Sequence, residues 1–200
     1  MAFLQELAAN KNKLRHVRTT CTTADGKQYV EERRQDGTTV VETVATNTLG
    51  FCPDNSPDKV VGVATTGLLV GSQDVAHDFD LLKHHDITHV LNVGCGIPNA
   101  FEDKFKYLTV NLLDTPKENF SSHYEKCKEF IDEGRSLGVV LVHCNAGCSR
   151  SVTIALAYVI EKEKISLEEA LRRLKETRPS AKPNDGFMKQ LKQWEQSTMS

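Results

Sequence analysis

Residues 139–160 constrain the fold more than any other stretch of the chain. Val139-Val140-Leu141-Val142 runs without a polar residue into His143-Cys144. Asn145-Ala146-Gly147-Cys148-Ser149 then delivers Arg150-Ser151, and Val152-Thr153-Ile154-Ala155-Leu156-Ala157-Tyr158-Val159-Ile160 continues at helical length with no breaker. The order is strand, tight loop, helix. Such a loop aims successive backbone N–H groups and the positive end of the helix dipole into its own concavity, which makes an anion site. A nucleotide-binding phosphate loop would offer Gly, Lys and Ser or Thr. This one offers a thiol at its start and a guanidinium at its end, a combination suited to attacking a phosphate.

Each residue type has a physical reason to be there. A thiol is a useful nucleophile only as thiolate, which helix N-termini and neighbouring cations favour, and Cys144 sits where both converge. Arg150 can grip two phosphate oxygens with its planar fork and hold them as charge redistributes. Gly147 permits close backbone approach and unusual dihedrals. Ser149 or Ser151 can donate a hydrogen bond to the Cys144 sulfur and ease its departure in a second step. His143, still on the strand, is expected to hydrogen-bond the loop backbone. The alternative for Cys144 is a buried structural cysteine at a strand end, since free Cys is among the most buried residue types.

The stretch Val142-His143-Cys144-Asn145-Ala146-Gly147-Cys148-Ser149-Arg150-Ser151 resembles the signature loop of the cysteine-dependent protein phosphatases, and its Ala-Gly-x-Ser-Arg-Ser tail resembles their atypical dual-specificity branch. The similarity extends to residues 67–76, to Ile87-Thr88-His89-Val90-Leu91-Asn92-Val93, and to the block from Arg178-Pro179 through Pro183-Asn184, Gly186-Phe187-Met188 and Gln190-Leu191, so that about residues 60 to 197 are covered. The resemblance implies that residues 143–150 bind phosphate, and that Cys144, Arg150, Asp114 and Ser151 are catalytic without any cofactor or metal. It also implies phosphorylated proteins as substrates, kinases of the stress-activated pathways among them.

Composition bounds the remainder. With 25 basic and 27 acidic residues and a formal net charge of -2, bulk electrostatics point to no nucleic acid and no membrane surface as partner. No apolar run approaches the ~20 residues that span a bilayer, and residues 1–7 lack the layout of a signal peptide. Six cysteines scattered at 21, 52, 95, 127, 144 and 148 without CxxC pairs argue against zinc and against a disulfide framework. A cytoplasmic or nuclear location fits best.

Residues 1–58 read as an N-terminal extension. Phe3, Leu4, Leu7 and Ala8 recur at helical spacing. Three β-rich segments follow, separated by Asp25-Gly26 and Asp36-Gly37, which predicts a small meander built on hairpin turns, and residues 45–58 are expected to be a linker. Arg15, Arg18, Arg33 and Arg34 are either a docking patch for an acidic partner or, as is commoner, a solvated face. Residues 59–200 are the expected catalytic domain, in which strand and helix patterns alternate. Strands are predicted at 60–64, 68–71, 87–93, 107–113 and 139–143, with helices around 75–84, over 122–135, after Ser166 and at the C-terminus. Ser122-x-x-Glu125 and Ser166-x-x-Glu169 are read as capping boxes, and Trp194 as a packing anchor. The fold class is therefore α/β: a central mixed, partly parallel sheet flanked by helices on both faces, with the loop at its carboxyl edge, as in the cysteine-dependent phosphatases.

A phosphatase of this kind also needs an acid for the leaving oxygen. Asp114 lies on the sheet-end loop after Tyr107-Leu108-Thr109-Val110-Asn111-Leu112-Leu113, and inherits the role by resemblance; otherwise it caps a turn. Glu118 is the fallback. Asn92 and Asn184 correspond to polar residues near the signature loop in the family, although Asn184 is equally suited to cap the last helix. Cys95 and Cys148 are candidate partners for a reversible disulfide with Cys144. The expected reaction is two-step, through a phosphocysteine. A phosphate-binding pseudophosphatase or signalling scaffold is the alternative.

Overall fold

The computed structural model describes residues 18–22, 28–33, 39–45 and 57–199, and the chain divides after Ser56 into two units. In the first unit, β1 (Arg18–Thr22), β2 (Gln28–Arg33) and β3 (Thr39–Ala45) form a three-stranded antiparallel sheet in sequence order, the predicted meander. The expected helix over residues 3–9, the two Asp-Gly turns and the side chains of the arginine patch lie outside the described residues. Pro57 and Asp58 belong with the second unit instead of a linker ending at 58.

The second unit is built on β4 (Gly62–Thr65), β5 (Leu68–Gly71), β6 (Ile87–Gly94), β7 (Lys106–Leu112) and β8 (Val139–His143), in the order β4-β5-β8-β6-β7. β5, β8, β6 and β7 run parallel, and β4 joins antiparallel at one edge. β8 lies in the centre, with Gly71 of β5 and Asn92 of β6 both in register with His143. Successive strand residues face opposite sides of a sheet. Val140 and Val142 accordingly enter one core with Leu68, Val70, Leu91 and Val93, while Leu141 enters another with Leu69, Val75, Leu82, Ile87 and Val90. Because both faces of β8 are covered, an unbroken apolar run is what the strand requires.

The smaller core lies under α1 (Gln73–Ala76) and α2 (Phe79–His84). One helix was expected over 75–84. The chain instead stops at His77 and restarts at Asp78, whose carboxylate caps α2 by accepting from the Leu81 N–H at 3.1 Å. The larger core lies under α3 (Ser121–Leu137), α4 (Arg150–Glu163), α5 (Leu167–Thr177) and α6 (Asp185–Met199). Every residue of α4 from Ser151 to Ile160 is buried, and each fully buried Val, Leu or Ile there is worth roughly 1.5–3 kcal/mol. Ser166 caps α5, accepting from the Glu169 N–H, which is half of the predicted capping box; the Glu169 carboxylate turns to Arg172 and Arg173 instead of back to the cap. Ser122 caps nothing, because α3 starts a residue earlier. Asn119 Oδ1 accepts from the Ser121 N–H, and the Ser122 hydroxyl donates back to the Asn119 carbonyl. Trp194 packs on Tyr124 and Phe120 and donates its Nε1–H to the Ala157 carbonyl, tying α6 to α4.

Candidate active site

The loop between β8 and α4 is fastened from outside by its carbonyls. The Asn145 carbonyl accepts from the Gln73 N–H at 2.8 Å and the Cys148 carbonyl from the Lys182 N–H at 2.7 Å. The Ala146 and Gly147 carbonyls accept from the Arg178 guanidinium at 2.9 and 2.7 Å. In a trans peptide the carbonyl and the following N–H point in opposite directions. The N–H groups of Ala146, Gly147, Cys148 and Ser149 therefore turn away from these outer donors and toward the concavity, the arrangement of an anion-binding nest. Gly147, at φ +63, is the residue that the turn needs, and a Cβ there would run into the Gly71 carbonyl and the Arg178 guanidinium.

Arg178 is wholly buried, and besides the two loop carbonyls it donates to the Val60 carbonyl and, at 2.6 Å, to Asp58 Oδ2. The first of these clamps the irregular segment that leads into β4; the second gives the buried cation its counter-charge. Gly62 makes room for it, since a Cβ at that position would meet the Arg178 Cβ at 2.7 Å.

Cys144 follows β8 directly and is 1% exposed. Its sulfur lies 3.3 Å from Ser151 Oγ. Of the two serines the sequence offered for that contact, Ser151 makes it and Ser149 does not. Ser149 stands at the N-cap position of α4 but its side chain makes no capping bond. The hydroxyl instead donates to Asp114 Oδ1 at 2.7 Å and accepts from the Asn184 N–H at 3.2 Å. The free N–H groups of the first helical turn thus have no side-chain cap from within the helix, as an anion site at a helix N-terminus requires.

Asp114, just beyond β7, also accepts from Asn184 Nδ2 at 2.8 Å, and its Oδ2 lies 3.7 Å from Arg150 Nε. That separation is electrostatic attraction, too long for a hydrogen bond. The Arg150 Nε is buried without a hydrogen-bond partner, and one Nη reaches the Leu112 carbonyl only at 3.5 Å. Asp114, Ser149 and Asn184, with Pro116, Lys182, Pro183 and Asp185, line a cleft. The acid, the arginine, the thiol and its serine are thus gathered at the carboxyl edge of the sheet.

His143 is buried, and burial pushes its pKa down from 6.5 to about 4, against the opposing pull of a weak 3.4 Å hydrogen bond from its Nδ1 to the Cys144 carbonyl. Its Nε2 has no partner. The Cys148 thiol is pushed up by burial first, then by the nearby Cys144 and Asp114. Cys95 is exposed, on the turn after β6. The Glu118 carboxylate faces His123 at 3.6 Å. Asn184 is a helix cap and an active-site contact at once, its Oδ1 accepting from the Phe187 N–H at 2.9 Å.

Asn92 turns elsewhere. It donates to the Ile97 carbonyl and Asn99 Oδ1 and accepts from the Gly94 N–H, so it shapes the loop after β6 instead of the phosphate loop. Arg178, Asp58 and Gln73 were not anticipated as site residues. The signal for Arg178 and Gln73 was an accounting one, since four loop carbonyls turned outward must find donors, and Asp58 follows as the acceptor that the buried guanidinium requires.

The catalytic-domain profile of the dual specificity phosphatases matches residues 68–197. The chain is 42% identical to mouse dual specificity protein phosphatase 19 over 191 residues, covering 94% of this chain and 87% of that one. It is 36% identical over 155 residues to MAP kinase phosphatase with leucine-rich repeats protein 2 of Dictyostelium discoideum, spanning 78% of this chain and 22% of that larger one. Among solved structures it is similar to the human tyrosine phosphatase-like serine/threonine/tyrosine-interacting protein, with a TM-score of 0.66 and 32% identity over 70% of this chain and 98% of the other.

Proposed function

The chain belongs to the dual specificity phosphatases and is a protein phosphatase, and from that premise we propose that it works through a phosphocysteine on Cys144. The phosphoryl group sits on the inward N–H groups of residues 146–149 and on the Arg150 guanidinium. Cys144 thiolate attacks phosphorus, the bond to the ester oxygen breaks, and that oxygen takes a proton from the Asp114 carboxyl. In the second step Asp114, now a carboxylate, takes a proton from water as the water attacks phosphorus. The S–P bond breaks, phosphate leaves, and the Ser151 hydroxyl, 3.3 Å from the sulfur, stabilises the returning thiolate.

The observation that carries this reading is the gathering of Cys144, Ser151, Arg150 and Asp114 around one loop whose outer carbonyls are all tied down. Substrates are phosphotyrosine and phosphoserine or phosphothreonine in proteins, as the family name implies. The relative named for MAP kinases supports a phosphorylated kinase as the target; we place it in stress-activated signalling on the family resemblance, and in a reducing cytoplasmic or nuclear setting on the scattered, unpaired cysteines of the sequence. The test compares wild type with Cys144→Ser on a small aryl phosphate and on phosphotyrosyl and phosphothreonyl peptides. Hydrolysis of all three should vanish in the variant while phosphate binding persists. Hydrolysis by Cys144→Ser at the wild-type rate would refute the mechanism, and binding of phosphopeptides without hydrolysis by wild type would favour a scaffold.

A further inference from the structure

The geometry points to Asn184 as the positioning residue of the acid: through the cap of α6 it fixes which oxygen of Asp114 carries the transferred proton. This rests on the reading of Asp114 as the proton donor and deepens it.

Asp114 Oδ1 accepts two hydrogen bonds, from Ser149 Oγ at 2.7 Å and Asn184 Nδ2 at 2.8 Å. Each donor is itself fixed. The Asn184 amide cannot rotate, because its Oδ1 accepts from the Phe187 N–H at the start of α6, which leaves Nδ2 facing Asp114. An amide NH2 donates and never accepts. The Ser149 hydroxyl is oriented by the backbone as well: its oxygen accepts from the Asn184 N–H, so its single proton is free to go to Asp114. One residue, Asn184, therefore sets both donors, one through its side chain and one through its backbone.

With two donors on Oδ1, a proton on the carboxyl group belongs on Oδ2. That oxygen is the one 3.7 Å from Arg150 Nε, on the side of the guanidinium that holds the phosphoryl group. The bonds to Oδ1 serve the neutral acid of the first step and the carboxylate of the second without rearranging, so the group stays pre-organised as its role reverses. A second tie acts in the same direction. Gly186, on the first turn of α6, packs directly on the Pro116 backbone, where a Cβ would find no room, and this presses the loop carrying Asp114 onto the helix that carries the cap.

A positioning role for the acid shows in leaving-group dependence. A phenyl ester needs its departing oxygen protonated, whereas a strongly activated aryl ester needs it far less. Asn184→Ser keeps a capping oxygen for the Phe187 N–H but removes the amide donor; Asn184→Asp keeps the cap and sets a carboxylate against Asp114. For Asn184→Ser, kcat on phenyl phosphate should fall about tenfold or more, on the way to the ~10²-fold or larger loss of Asp114→Ala, while the activated ester loses markedly less. KM should stay within about twofold, because the lost contact acts on the chemical step. Asn184→Asp should show the larger selective loss, and both variants should unfold near the wild-type temperature.

If Asn184→Ser and Asn184→Asp lose activity equally on both esters, or keep the wild-type leaving-group dependence while Asp114→Ala loses it, Asn184 does not position the acid and the proposal fails alone. If Asp114→Ala itself keeps the wild-type dependence, the assignment of the acid fails and takes the proposal with it.

Discussion

Lowering the pH should expose the cost of burying His143. The ring is 1% exposed beside Cys144, and burial holds its pKa at about 4 against 6.5 for a free histidine. The fold therefore favours neutral His143, and between these two values the unfolded chain binds the extra proton. Stability rises with pH wherever the unfolded state holds more protons, so this group costs nothing above pH 6.5, and its penalty grows as the pH falls, becoming complete below about 4. At ~1.36 kcal/mol per pH unit, the interval from 6.5 to about 4 is worth about 3 kcal/mol. That is a large share of the roughly 5–15 kcal/mol that holds a domain folded.

The assay is urea unfolding of wild type and His143→Gln at several pH values from 7 to 4. Glutamine does not titrate, so the stability difference between the two proteins should move by about 3 kcal/mol in favour of the variant across that range. His89, also pushed down, first by burial and then by Lys106, titrates in both proteins and cancels from the difference. Parallel stability curves for the two proteins between pH 6.5 and 4 would show that His143 is not held neutral by its surroundings.

Three further outcomes follow from the site. Arg178→Met removes the donor for the Ala146 and Gly147 carbonyls; the two orphaned acceptors should cost about 2–4 kcal/mol in thermal or urea unfolding, the partly exposed Asp58 adding little, with turnover of the remaining folded protein reduced at least tenfold. Gly186→Ala forces the Pro116 backbone away and should slow phenyl phosphate hydrolysis about tenfold while barely changing Kd for inorganic phosphate, measured by calorimetry. Ser151→Ala removes the hydroxyl 3.3 Å from the sulfur and should slow the second step, seen as a burst of released phenol followed by a turnover rate that no longer depends on the leaving group.

The phosphate loop was legible from sequence because its parts are local. A buried strand, a glycine at the position of positive φ and a breaker-free helix stand within twenty-two residues, and the apolar run of β8 announces a strand covered on both faces, though not the order of its neighbours. Asp114 was placed on a sheet-end loop by the strand before it. What escaped was long-range or competitive. Arg178 reaches back across more than thirty residues to residues 146–147 and across more than a hundred to Asp58, and nothing in its own neighbourhood marks it except the proline that ends its helix. Ser149 has the sequence position of a cap, yet the acid competes for its hydroxyl and wins. Asn92 lies in register with His143 but spends its amide on the loop at 94–99. Ser122 lost the start of α3 because the helix begins at Ser121 with Phe120 at its N-cap position, and Asn119 Oδ1 takes the Ser121 N–H in a local turn that spacing alone does not reveal.

The most direct test of the central claim is to locate the phosphoryl group during turnover. Ser151→Ala, which should accumulate the intermediate, is mixed with a phosphotyrosyl peptide, quenched in acid within the burst and mapped by peptide mass spectrometry. The account predicts one phosphoryl group per protein, on Cys144, and none in the double variant that also carries Cys144→Ser. Turnover with Cys144 unmodified, or a phosphoryl group on any other residue, would contradict it.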